Sequence, residues 1–105
     1  MRLRSMRKKT KKLPEKIDIL GHSIAVIMQD DLEHYNSAYG LSKFKERVIL
    51  IESSLDYDQQ VETLIHEIIE FANDFLELSL DHNKICALET TLFQALKSGG
   101  ILNVE

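Results

Sequence analysis

The spacing of apolar residues changes once along this chain, near residue 55, and that change limits the folds it can adopt. Before it, apolar side chains tend to alternate with polar ones, which is the period of a half-buried β-strand. After it, they recur at three- and four-residue steps, which is the period of an amphipathic helix. A strand-forming half followed by a helical half predicts an α+β domain in which helices pack on a small sheet.

Three strands are predicted in the first half. Two lie within residues 16–29, on either side of Gly21, and the third covers residues 47–54. The alternating apolar positions of the first two are Ile17, Ile19, Ile24, Val26 and Met28. Residues 30–46 are polar and mixed, so we interpret them as a loop, with room for one short helical turn, that ends at Gly40.

Two helices are predicted in the second half, over about residues 57–77 and 82–97. Asp56 is a good N-cap for the first helix, Gln59 completes a capping box, and Asp81 caps the second helix. Because the connection between the helices is short, they are expected to pack as antiparallel neighbours. The apolar residues predicted to face inward are Val61, Leu64, Ile65, Ile68, Ala72, Phe75 and Leu76, then Ile85, Leu88, Leu92, Ala95 and Leu96.

Positive charge is concentrated at the N-terminus. Residues 1–16 carry eight Lys and Arg against one acid, and the rest of the chain carries 16 acids against five Lys and Arg. This division predicts a basic disordered arm over residues 1–15 and a single domain over residues 16–105. The arm offers only weak phosphate contact with nucleic acid, because no aromatic side chain lies among its charges to stack on bases.

The composition also indicates where such a chain would reside. No apolar run is long enough to span a membrane, so a membrane partner is not expected. The N-terminus lacks the apolar segment of a signal peptide. The single cysteine, Cys86, excludes an internal disulfide and fits a reducing compartment. These features predict a cytoplasmic protein.

The most informative stretch is "VETLIHEIIEFAND", residues 61–74, which is one residue away from the H-E-x-x-H zinc motif. On a helix, His66 and Glu70 lie one turn apart and can share one ion. Imidazole and carboxylate are both zinc ligands. Helical geometry places His66, Glu67 and Glu70 away from the main apolar stripe, and this placement fits a metal-binding face and a solvated face equally.

A third ligand would have to come from the second helix. With antiparallel helices, His82 in the first turn lies near Glu70, and Glu89 can approach His66. We favour His82 as the third ligand of a zinc ion. Glu89 is the alternative ligand, or it orients a ligating histidine through its second ring nitrogen.

The segment from Ser53 to Leu96 resembles the small zincin-type metallopeptidases encoded by phages and prophages, with "TLIHEIIE" and "LFQAL" at the matching places. The resemblance implies a minimal zincin-like core, in which a small sheet supports an active-site helix and a second, packed helix. It also implies that His66 is the first zinc ligand and that Glu67 is the general base. Glu70 stands where the H-E-x-x-H motif has its second histidine.

Two functions follow as hypotheses. In the first, Zn²⁺ is held by His66, Glu70 and His82, and Glu67 activates water at the metal to hydrolyse a peptide bond. In the alternative, the chain is a catalytically silent phage accessory or regulatory protein that binds a host or phage protein through the same fold. The extra negative charge of Glu70 favours the alternative, because it makes the metal a weaker Lewis acid.

Overall fold

One four-stranded sheet and two helices make up the fold. The computed structural model describes residues 11–32 and 38–102. Its elements are β1 (Lys16–Ile19), β2 (His22–Gln29), β3 (Gly40–Lys43), β4 (Val48–Glu52), α1 (Tyr57–Leu76) and α2 (His82–Ser98). The predicted α+β class, with a small sheet followed by two packed helices, is confirmed.

The sheet has the strand order β1-β2-β4-β3. The central strands β2 and β4 are parallel, whereas β1 pairs with β2, and β3 with β4, in antiparallel fashion. One face of the sheet is covered by α1 and holds the core. The buried strand residues on this face are Ile19, Ile24, Val26, Ile49 and Ile51. The first three lie at the predicted alternating positions, whereas Met28, predicted with them, is 40% exposed near the end of β2.

Strand β3 was not predicted, because residues 30–46 were interpreted as a loop ending at Gly40. The structure instead begins a strand at Gly40, at the edge of the sheet. The segment "GLSK" has no β-branched residue, so its extended form depends on pairing with β4 rather than on local preference. Residues 33–37 of this region lie outside the described part of the chain, so the short helical turn allowed for in residues 30–46 stays a prediction.

Helix α1 begins at the predicted capping box. The Asp56 carboxylate accepts a hydrogen bond from the Gln59 backbone N–H at 2.9 Å, and the Gln59 side chain accepts one from the Asp56 N–H at 3.4 Å. Phe71, in the C-terminal half of the helix, is fully buried. Its ring lies 4.9 Å from that of Phe44, in the turn after β3, and the ring of Phe75 on α1 lies 4.7 Å from that of His22 in β2, so aromatic contacts join α1 to the sheet.

Helix α2 packs antiparallel on α1, as predicted. Lys97 near its end pairs with Asp58 near the start of α1, with Nζ and Oδ2 3.3 Å apart. Its orientation about its own axis differs from the prediction. Of the residues predicted to face inward, Ile85 is buried, but Leu88 and Leu92 are each 43% exposed, and Phe93 is buried instead. The prediction was wrong because polar residues of α2, described below, occupy the side that faces α1.

The predicted N-terminal arm lies mostly outside the described residues, so its disorder stays a prediction. Within the described part, Leu13 packs against the core, and the Glu15 carbonyl accepts a hydrogen bond from the Val26 N–H at 2.9 Å. In residues 11–32 and 38–102, no helix is long and apolar enough to cross a membrane.

Replacement of Asp56 by alanine removes the carboxylate that accepts the hydrogen bond from the Gln59 backbone N–H. We expect Asp56→Ala to lower the free energy of unfolding by about 1 kcal/mol, and the melting temperature by roughly 4–8 °C. Asp56→Asn keeps an oxygen in the capping position and should leave the melting temperature nearly unchanged. Equal losses in both variants, measured by thermal circular dichroism, would show that the cap does not stabilise α1.

Candidate metal centre

The interface between α1 and α2 carries a strip of ionisable side chains from each helix. The residues of each strip are three or four positions apart, so they share one helical face, and that face is turned toward the other helix. The α1 members are Glu62, His66 and Glu70, and the α2 members are His82, Cys86 and Glu89. The helix pair is therefore joined by groups that bind protons and metals, as well as by apolar contacts.

His66 lies at the centre of this interface, and each of its ring nitrogens has a carboxylate neighbour. Nδ1 lies 2.8 Å from Glu89 Oε1, and Nε2 lies 3.3 Å from Glu70 Oε2. An ionised carboxylate only accepts hydrogen bonds, so the bond to Glu89 places the imidazole proton on Nδ1. Nε2, which faces Glu70, is the nitrogen that a metal ion shared with Glu70 would bind, as in a ligating histidine oriented by a second carboxylate.

His82 completes a three-donor group with His66 and Glu70. The two imidazole centroids are 5.5 Å apart, and the donor atoms of all three residues lie within 4.8 Å of one another. Two ligands of a tetrahedral zinc ion, bound at about 2.0–2.2 Å, are about 3.4 Å apart. The separation of 3.3 Å between His66 and Glu70 matches that distance. Two imidazoles and one carboxylate are also a donor set that zinc accepts, so these residues fit a zinc ion.

Asn73 holds the start of α2 against the end of α1. Its side-chain amide donates to the Leu80 carbonyl at 3.2 Å, and its Oδ1 accepts from the Leu80 N–H at 2.9 Å. This pair of bonds fixes the turn two residues before His82, and so brings that imidazole beside Glu70. Sequence reasoning missed Asn73, since an asparagine on a helix surface carries no signal of such a role.

Glu67 is 5% exposed, although the sequence placed it on a face away from the apolar stripe. Its Oε1 accepts a hydrogen bond from Ser42 Oγ at 2.6 Å. A Cβ added at Gly40 would lie 2.7 Å from Glu67 Oε2, so the glycine makes room for the carboxylate. The prediction failed because β3, which contributes both Ser42 and Gly40, lies against this side of α1. Neither residue belongs to a recognisable motif.

Burial raises the pKa of the Glu67 carboxyl group, because the charged form loses its hydration, and this is the largest influence on that pKa. The hydrogen bond from Ser42 and the nearby imidazole of His66 act in the opposite direction. Burial also raises the pKa of the Cys86 thiol, and the charges of Glu89 and Glu70 add to that effect. A hydrogen bond with Glu89 raises the pKa of Glu62.

A cavity of about 280 Å³ opens beside this group. Its lining includes both histidines of the three-donor group and Glu67. Backbone and side chains that precede and begin β3 form its other wall. The lining residues are Ala38, Tyr39, Gly40, Thr63, His66, Glu67 and His82.

The buried carboxyl group of Glu67 predicts a pH-dependent effect on stability. A raised pKa in the folded state stabilises the protein at low pH, and this stabilisation is lost as the pH rises through that pKa. In metal-free protein, Glu67→Gln should therefore gain melting temperature relative to the native chain as the pH rises from about 5 to about 8. A difference that does not change with pH would contradict the burial of a titrating carboxyl group.

The contact between Glu89 and His66 predicts a change in metal affinity. Glu89→Gln keeps the shape but loses the charge that orients the imidazole, so zinc affinity should fall by about 10- to 100-fold. Isothermal titration with zinc measures this, with Glu46→Gln in an exposed turn as the control. If Glu89→Ala lost zinc entirely while His82→Ala kept it, Glu89 would be the third ligand instead of His82.

Comparisons of this chain with protein-family models, with curated proteins and with solved structures find no match. The assignment of the site therefore rests on its own residues and their geometry.

Proposed function

We propose that this protein is a zinc-dependent hydrolase of peptide bonds. The observation that carries the proposal is the position of Glu67, a buried carboxyl group on the same small cavity as His66 and His82. A buried acid beside a group of metal donors is a common arrangement for proton transfer in hydrolytic sites. A solvated helix face, which was the other interpretation of the same residues, does not explain this burial.

His66, Glu70 and His82 would hold the metal. When bound, a divalent cation there would polarise a substrate carbonyl group and make water more acidic. Three protein donors leave a position for other molecules in a tetrahedral shell, as catalytic zinc sites require. Glu89 keeps the proton of His66 on Nδ1 and so keeps Nε2 available for bonding.

Glu67 is suited to move the proton. The Ser42 hydroxyl holds Oε1, so Oε2 is the oxygen that remains to accept a proton from the attacking water. The raised pKa of this carboxyl group makes it a stronger base than an exposed glutamate. The same oxygen can then deliver the proton to the departing amine nitrogen, which completes the cleavage of a peptide bond.

An extended peptide is the substrate that the surroundings favour. Within residues 11–32 and 38–102, β3 pairs with β4 alone and forms one edge of the sheet. Gly40, at the start of this strand, lines the cavity next to Glu67. Edge strands bind extended peptides through main-chain hydrogen bonds. A peptide paired with β3 would pass close to the carboxyl group that transfers the proton.

A second function is favoured by two other observations. Glu70 adds a negative charge to the donor group, which weakens its activation of water. Leu88 and Leu92, one helical turn apart on α2, are exposed and offer a partner protein an apolar contact. These features support the alternative of a catalytically silent protein that binds a host or phage protein.

Zinc content and hydrolysis together separate these functions. Protein purified without a histidine tag should hold about one zinc per chain, and His66→Ala should hold none. Glu67→Gln should keep its zinc and lose peptide hydrolysis by about 10²- to 10⁴-fold, because it removes the base. Hydrolysis is followed with a library of internally quenched peptides, and Asp74→Asn, an exposed change on α1, is the matched control.

Each outcome has a distinct meaning. Absence of zinc in the native protein would overturn the metal site and the proposed hydrolysis, and would leave only the alternative of a binding protein. Stoichiometric zinc without hydrolysis, or equal hydrolysis in the native protein and Glu67→Gln, would overturn the catalytic role of Glu67. The former result would leave the alternative of a zinc-containing binding protein.

A further inference from the structure

Cys86 lies on the strip of α2 that faces α1, one helical turn after His82 and three residues before Glu89. Its Sγ atom is 3.3 Å from His82 Nε2. The thiol is half-buried at the interface, where it is next to a ring nitrogen of a proposed metal ligand. Cys86 has no role in the proposed hydrolysis.

Cys86 also belongs to a second group of possible metal donors. Its sulfur, one ring nitrogen of His66 and one oxygen of Glu89 all lie within 4.8 Å of one another. This group shares His66 with the group formed by His66, Glu70 and His82. The thiol is therefore near both imidazoles of the proposed zinc site. It contacts His82 directly, and it lies in one group of donors with His66.

The distances suit a metal that binds both His82 and Cys86. Zinc binds imidazole nitrogen at about 2.0–2.1 Å and thiolate sulfur at about 2.3 Å, so the two ligand atoms in a tetrahedral shell are about 3.6 Å apart. The observed separation is 3.3 Å. A shift of a few tenths of an ångström in this pair would accommodate the ion. The four donors His66, Glu70, His82 and Cys86 do not form one group within 4.8 Å, so a side-chain rotation must also bring the thiol and Glu70 together. Zinc also binds thiolate more strongly than it binds most oxygen donors.

We propose that Cys86 is a further ligand of the metal held by His66, Glu70 and His82. With Cys86 bound, four protein donors fill a tetrahedral shell, which is the closed arrangement of structural zinc sites. When the thiolate leaves, the three remaining donors hold the metal with an open position. Cys86 thus controls whether substrate or water reaches the metal. This inference rests on the proposed metal site.

Cobalt(II) titration tests this ligation without an activity assay. Co²⁺ takes tetrahedral zinc sites, and a thiolate ligand adds an intense charge-transfer band in the near-ultraviolet. Cys86 is the only cysteine in the chain, so in monomeric protein the band can come from no other residue. The native protein should show this band together with the visible bands of tetrahedral Co²⁺. Cys86→Ser should lose the near-ultraviolet band and keep the visible ones.

A second measurement needs no variant and so does not depend on how Cys86→Ser folds. The rate at which a thiol reagent modifies Cys86 in the native protein should fall by at least about tenfold when zinc is added, because a metal-bound thiolate is shielded from the reagent. Removal of zinc by a chelator should restore the rate. His66→Ala, which lacks the shared ligand, should react at the same rate with and without zinc.

The failure of this inference can be told apart from failure of the metal site. Visible bands without the thiolate band, with a modification rate that zinc does not change, would overturn the role of Cys86 and leave the three-donor site in place. An absence of all cobalt bands would overturn both. A thiolate band that persists in His66→Ala would show that Cys86 binds metal elsewhere, and would also overturn the inference.

Discussion

The hydrogen bond between His66 Nδ1 and Glu89 Oε1 joins the two helices at the centre of their interface. An imidazole that is largely removed from water needs a partner, and Glu89 supplies it. This contact turns Glu89 toward α1, so the residues on the same strip, His82 and Cys86, turn with it. Leu88 lies on another side of α2 and is left half-exposed. This contact, together with the burial of Ile85 and Phe93, determines which side of α2 faces α1.

Much of the fold could be predicted from periodicity and capping. Asp56 and Asp81 cap the helices where the sequence places them, and the buried strand residues alternate as expected. Strand β3 could not be predicted, because its extended form comes from its neighbour in the sheet. The rotation of α2 was also wrong. The rule that apolar residues face inward fails where ionisable side chains occupy the interface.

The candidate site, like the fold, could be predicted only in part. The grouping of His66, Glu70 and His82 follows from helical spacing and an antiparallel turn, both of which the sequence carries. The burial of Glu67 could not be predicted from helical spacing. The apolar stripe of a helix indicates one packed side, whereas α1 contacts both the sheet and α2. Ser42, which binds the Glu67 carboxyl group, comes from the unpredicted strand.

The turn that Asn73 closes has a consequence for how such a domain could change over time. All candidate metal donors lie between residues 66 and 89, within a single helical hairpin, whereas the surroundings of Glu67 come from a distant strand. The candidate metal donors and the groups that surround the Glu67 carboxyl group are therefore encoded in separate parts of the chain. A substitution in β3 can therefore alter the surroundings of Glu67 and leave the candidate donors of the helical hairpin in place.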